Sequence, residues 1–143
     1  MRKYDADAFS MNVPEAWLDK STFVIADDGS GPFRPSVVVT FENVPENVTA
    51  EDYCKKHLEA MKASFNAFES VEPPTPAKLG KHDALRHVFK WRNDRGDHLQ
   101  QCQYYARTEN RVYTVTFTHR ADRFEKHREV FDEIAAAFKV KTS

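Results

Sequence analysis

The chain has 143 residues, a formal net charge of -1 and 13% aromatic content, with eleven phenylalanines. A chain of this length folds as one domain (residues 1–143) and buries roughly 68–70% of its unfolded surface, so neither disulfides nor metals are needed for stability. The near-neutral charge argues against a clustered Lys/Arg surface that binds nucleic acid through counterion release.

No apolar run approaches the ~20 residues of a spanning helix, so no stable membrane insertion is expected. The opening MRKYDADAFSMNVPEAW has basic residues but no apolar core and no lipidation cysteine. It does not read as a signal peptide, and a cytoplasmic protein is the expectation. Two cysteines, one in a helical stretch and one in a strand, suit a reducing compartment.

In chain order, residues 8–13 alternate Phe9, Met11 and Val13 against Ser10 and Asn12, the pattern of a strand. Pro14-Glu15-Ala16-Trp17 makes a turn ending in a large aromatic anchor. Residues 21–26 (STFVIA) form a second strand, 27–32 a Gly/Asp-rich loop, and 36–42 (SVVVTFE) a β-branched third strand. Thr49 followed by Asp52 approximates a capping box, and a helix runs from there to about Phe68. Its apolar stripe is Cys54, Leu58, Met61, Phe65 and Phe68. Pro73, Pro74 and Pro76 forbid helix and mark an irregular or edge segment. A three-strand meander fills residues 83–119, and a last helix spans about 122–138 with the stripe Phe124, His127, Phe131, Ile134 and Phe138. The order β-β-β-α-β-β-β-α predicts an α+β fold, an antiparallel sheet with both helices packed on its core face.

The two meander turns set a register. Pairing Asn93 with Gly96 and Thr108 with Arg111 puts Phe89, Trp91, Cys102, Tyr104, Ala106, Tyr113, Val115 and Phe117 on one face. The other face carries Val88, Leu99, Gln101, Gln103, Tyr105, Val112, Thr114, Thr116 and Thr118. The first face is a core. The second is uncharged yet rich in hydrogen-bonding groups, whereas a solvated face would carry Lys and Glu. If Phe23, Ile25, Val37, Val39 and Phe41 point to the core, then Thr22, Val24, Val38 and Thr40 extend this second face. Two readings stay open: a face covered by another element or a dimer partner, or a binding surface for an apolar segment such as a peptide or a membrane-destined helix. In the second case Gln and Thr would satisfy ligand polar groups that cost about 1–3 kcal/mol each when buried alone.

Chemistry-bearing residues form no catalytic or metal constellation. The six histidines show no metal-ligand spacing. His87 falls on the core side and His127 on an apolar stripe, so each reads as a hydrogen-bonded, wholly or partly buried histidine. Cys54 and Cys102 read as small apolar residues. No nucleophile elbow, phosphate loop or dinucleotide fingerprint is present. The expectation is a protein that is not an enzyme and uses no cofactor.

The chain resembles the DcrB-like domains, which have a PsbP-like α+β fold. The likeness rests on the strand closed by Val13-Pro14-Glu15-Ala16-Trp17, the strand SVVVTFE, and the helix opening Thr49-Ala50-Glu51-Asp52-Tyr53. Gln103-Tyr104-Tyr105, Val112-Tyr113-Thr114-Val115-Thr116 and the helix ending Ala137-Phe138 complete it. Within that family the sequence looks most like the Eag chaperones of type VI secretion. These are cytoplasmic, commonly dimeric, and shield the N-terminal transmembrane helices of PAAR-domain or Rhs-type effectors before secretion. The resemblance implies contacts from the second strand and the meander. Thr22 and Val24 stand where relatives carry aliphatic residues. Gln103 matches a glutamine that hydrogen-bonds the bound helix, and His57 stands where relatives can carry a second glutamine. The alternative is a non-enzymatic interaction module that binds a folded partner through the same face or through the acidic loop at Asp27-Asp28.

Overall fold

Two N-terminal strands, β1 (Arg2–Asp5) and β2 (Ser10–Val13), pair into a small antiparallel sheet of their own. They are followed by β3 (Thr22–Ala26), β4 (Ser36–Asn43), α1 (Ala50–Ser64), β5 (Asn66–Leu79), β6 (His82–Arg92), β7 (His98–Thr108), β8 (Arg111–Arg120) and α2 (Phe124–Ala136). The molecule is described from a computed structural model covering residues 1–5, 9–16, 22–26 and 35–141. Trp17 and the loop carrying Asp27-Asp28 lie outside these residues.

Strands β3 to β8 form one six-stranded antiparallel sheet in the order β3-β4-β8-β7-β6-β5. The predicted α+β class with an antiparallel sheet is therefore what the chain adopts. Helix α1 forms where its capping box predicts. The Thr49 hydroxyl accepts from the Asp52 N–H at 3.1 Å, and the Asp52 carboxylate accepts from the Thr49 N–H at 3.2 Å. Such a cap is worth about 1 kcal/mol. The helix stops at Ser64, four residues short of Phe68, because Phe65 turns extended and the chain enters β5.

The proline stretch expected to be irregular or an edge segment lies in an edge strand, β5, which begins at Asn66, where the first helix was expected to continue. Its prolines are tolerated because β5 is a sheet edge whose register breaks between Ser70 and Glu72 and again between Glu72 and Thr75. A proline removes a ladder donor, so it belongs at such an edge or bulge. Strand β1 carried no clear sequence signal.

The expected register of the first hairpin is one residue off. Asn93 pairs with Asp97, not Gly96: its N–H donates to the Asp97 carbonyl at 3.1 Å, and its own carbonyl accepts from Gly96 N at 3.0 Å. The Asn93 side-chain oxygen also accepts from the N–H groups of Arg95 and Asp97. Gly96 takes φ +82°, so the loop has three residues with glycine in the left-handed position. The extra residue moves all of β6 to the opposite face relative to β7. Phe89 pairs with Gln101 and Trp91 with Leu99, while Val88 pairs with Cys102. Phe89, Trp91 and His87 thus lie on the glutamine face, and Val88 on the Cys102 face. The second hairpin pairs Thr108 with Arg111 as expected.

The sheet has a core on each side. Val37, Val88, Cys102, Tyr104, Val115 and Phe117 pack against Phe124, Phe131 and Ala135 of α2. On the other side α1 lies over β6 and β7, with Cys54 against Tyr105 and Val112, and Phe65 stacked on Trp91 at 4.3 Å. The helices were expected on one core face. They lie on opposite ones, because Phe89, Trp91 and Tyr105 give the glutamine face an apolar half that needs its own cover.

Candidate functional site

Helix α1 covers only the β5–β7 half of its face. The remainder, on β8, β4 and β3, is floored by side chains whose register is continuous across four strands. Gln103 opposes Thr116, which opposes Val38, which opposes Val24; Tyr105 leads in the same way to Thr114, Thr40 and Thr22. Gln101 and Thr118 form a third row. Of the thirteen strand residues predicted to share this face, all but Val88 do so. His57 joins them from the α1 wall, half-buried, with its ring 5.6 Å from that of Tyr105.

The rows differ in access. Thr22 and Val24 are exposed, Val24 at 62%. Val38, Thr40, Gln101, Gln103 and Thr116 are half-buried. Tyr105 and Thr114 are buried, Tyr105 completely, so they support the floor from beneath α1 and do not face an incoming partner. Among the described residues of β3, β4, β7 and β8, the charges on this face stand at strand ends: Glu42 on β4, Arg107 on β7 and Arg120 on β8.

Side-chain hydrogen bonds tie the floor together. The Trp91 indole N–H donates to Gln101 Oε1 at 2.9 Å, and Gln101 Nε2 donates to Thr118 Oγ1 at 2.8 Å. The Tyr105 hydroxyl donates to Gln103 Oε1, and Gln103 Nε2 donates to Thr116 Oγ1 at 3.2 Å. At one end of the floor, Tyr53 donates its hydroxyl to Glu42 at 2.5 Å and lies 4.3 Å from the His57 ring. Beside them opens a cleft of about 510 Å3 lined by Val44, Pro45, Val48, Lys56 and Ala60 among others. Burial pushes the Tyr53 phenol up, and the Glu42 carboxylate reinforces the shift. Burial lowers the His57 pKa against the opposing pull of Glu42. His57 is therefore a neutral ring at pH 7, able to donate and accept.

Sequence reasoning missed Trp91 as a member of this face. The signal was present in Asp94-Arg95-Gly96, which fits a three-residue loop with glycine in the left-handed position as well as a two-residue turn. The Tyr53–Glu42 pair was also missed, since it joins α1 to β4 across the fold.

The remaining chemistry is sparse. Burial pushes the Cys54 thiol up to about 11 and the Cys102 thiol up to about 12, so both stay protonated at neutral pH and are poor nucleophiles. Among the described residues no group of three His, Cys, Asp or Glu side chains could hold a metal. His127 is half-buried with Nδ1 3.4 Å from the Arg123 carbonyl. His87 is fully buried, with Nε2 3.0 Å from Ser70 Oγ.

Burial lowers the pKa of His87, with Lys62 adding to the effect, and burial likewise lowers His57 and His119. The unfolded chain, with these groups near 6.5, binds more protons than the folded one just below that value, so stability rises with pH there. The melting temperature is expected to hold above pH 7 and to fall as pH drops from about 6.5. His87→Phe should flatten that fall, and an unchanged slope would remove His87 from the cause.

A six-stranded antiparallel sheet with two helices packed on it is here a PsbP-like α+β fold. The chain matches the DcrB family over residues 9–137 and belongs to it. A Pseudomonas aeruginosa protein, PA94, described as of unknown function and a candidate regulator, superposes with TM-score 0.81 at 19% identity, covering 100% of this chain and 99% of its own. LpqN of Mycobacterium tuberculosis, described as involved in cell envelope biogenesis, gives TM-score 0.55 at 10% identity, covering 81% and 82%. Cyanobacterial PsbP from Synechocystis sp. PCC 6803 gives TM-score 0.55 at 13% identity, covering 98% and 92%. No curated protein sequence matches the chain. No helix among the described residues is long and apolar enough to cross a membrane.

Proposed function

We propose that the protein acts by binding and not by catalysis. In this reading it is a cytoplasmic chaperone or adaptor that shields an apolar, membrane-destined helix of a PAAR-domain or Rhs-type effector of type VI secretion, aiding its stability and loading. The observation that carries it is the floor itself: Val24, Val38, Thr22, Thr40, Thr116, Gln101 and Gln103 form an uncharged, partly apolar surface beside α1, with charge among the described residues of these strands only at the strand ends. An apolar helix laid there loses water from its aliphatic side chains and finds polar groups for any backbone atoms it leaves free. Membership of the DcrB family and the sequence resemblance to the Eag chaperones favour this partner over others.

Co-expression with the N-terminal fragment of an effector encoded beside it tests the reading. The fragment should be soluble only in the presence of this chain and should co-elute with it on size exclusion. Equal solubility alone, with no complex, would sink it.

A specific observation also supports a second copy as partner. Strand β3 is a sheet edge without charge or proline, whereas the opposite edge, β5, carries three prolines and register breaks. Proteins blunt edges that are to stay unpaired. Beside β3, the exposed Ile25, Val130 and Ile134 border a groove of about 240 Å3. Pairing of two β3 strands would cover these side chains in a homodimer. Sedimentation should give a dimer for the wild-type chain and a monomer for Ile25→Asp; a monomeric wild type would remove the dimer.

A further inference from the structure

The hydrogen bonds on the open floor all point one way. An indole N–H can only donate. The Gln101 atom 2.9 Å from Trp91 Nε1 must therefore be the oxygen, which turns the Gln101 amide nitrogen toward Thr118. Tyr105, buried and kept protonated by that burial, donates to Gln103 and turns the second amide toward Thr116 in the same sense. Each chain runs from beneath α1, through a glutamine, to a threonine on β8. Among the described residues no acceptor takes the Thr116 or Thr118 hydroxyl proton. Each carboxamide also keeps a second N–H. Had the chains run in reverse, the floor would display acceptors. As built, its open side presents more donors than acceptors: the second amide N–H and the threonine O–H, against one lone pair left on each threonine oxygen.

We infer that Trp91 and Tyr105 are positioning residues that set the carboxamides of Gln101 and Gln103 so that the floor selects an apolar helix carrying unsatisfied backbone carbonyls. The inference rests on the reading of this floor as a receptor for an apolar helix, and deepens it by naming the chemistry that partner must have. An unbroken helix spends its carbonyls internally, except in its last turn. A proline within it removes one N–H donor and frees the carbonyl four residues earlier. The favoured partner is therefore a proline-interrupted apolar helix, or the C-terminal turn of one. A helix whose free groups are N–H donors would find fewer partners there and bind less tightly.

Two synthetic Leu/Ala helices of about 20 residues, lysine-flanked and identical except for a central proline or alanine, serve as probes for calorimetric titration of the full chain. The wild type should bind the proline helix about tenfold more tightly, the difference one or two hydrogen bonds provide. Trp91→Phe keeps an aromatic ring for the stack on Phe65 and removes the N–H, together with part of the ring volume. It should bring the two affinities within about twofold while leaving that for the alanine helix unchanged. Thr116→Val, a near-isosteric change at a half-buried site, should shrink the preference likewise and stands in if the first variant does not fold. A role confined to stability would weaken both helices alike. Equal binding of the two helices by the wild type, or a tenfold preference kept by both variants, overturns the inference and leaves the receptor reading standing. Binding of neither helix overturns both.

Discussion

Gly80→Ala is expected to be the most damaging small substitution in the molecule. Gly80 turns the chain from β5 to β6 with φ +60°, a conformation that L side chains rarely adopt. It also carries the tertiary contact that seats the end of α2. Its N–H donates to the Ala135 carbonyl at 2.8 Å, and a Cβ built on it would lie 2.0 Å from the Phe138 carbonyl oxygen. That neighbour is backbone and cannot rotate away. Adding one methyl group must push the C-terminal turn of α2 off the sheet and draw Phe138 from Tyr113, against which it packs at 5.8 Å. Strain and lost packing together should cost ~3 kcal/mol or more, a fall in melting temperature of roughly 10 °C for a domain of this size. Gly96→Ala is the control. It shares a positive φ of +82° but has open space where the Cβ would go, so only the backbone term applies, ~1 kcal/mol. If both variants melt alike, the close approach of Phe138 to Gly80 is wrong.

The second large effect concerns binding and leaves the fold alone. Val24→Glu should abolish recognition of an apolar helix while melting as the wild type does. Val24 sits on β3 opposite Val38, with 62% of its surface exposed, so a carboxylate there is fully hydrated in the free protein. Laying an apolar helix over it would strip that hydration with no compensating cation among the described residues of the floor, since Arg107 and Arg120 stand on other strands at its ends. Burying an unpaired charge costs several kcal/mol, and ~3 kcal/mol already lowers affinity more than 100-fold. Titration with the alanine helix described above measures it. An affinity within about threefold of wild type would mean that β3 lies outside the docking surface.

Much of the fold can be read from the residues. Strand β4 and the β7–β8 hairpin alternate cleanly, and the two-residue turn at Glu109-Asn110 leaves one sensible register, which the structure adopts. Thr49 and Asp52 announce the start of α1, and they cap it. The membership of the open floor followed from these elements, because a register fixed on β8 propagates through β4 to β3.

Strand β6 shows where sequence reasoning stops. Its even positions set Ala84 and Val88 among Arg86, Lys90 and Arg92, its odd positions hold Leu85, Phe89 and Trp91, and both faces carry apolar residues because α2 covers one and α1 the other. Alternation identifies a strand's two faces by their difference in polarity; where both carry buried apolar residues that difference no longer says which face meets which core, and one extra loop residue at Asn93–Asp97 decides the register. The prolines of β5 allowed an irregular or an edge segment, and only the assembled sheet decided for an edge strand.

By itself, then, the amino-acid order determined the α+β class, the helix starts, the β8 register and an uncharged row of Thr and Gln, because each follows from contacts between residues near in sequence or across one tight turn. Only the tertiary structure decided that α1 lies on the same face as that row, that Trp91 and Tyr105 orient its glutamines, and that Phe138 closes on Gly80. Those facts depend on which of two apolar faces meets which helix, a choice made by the packing of segments distant in the chain.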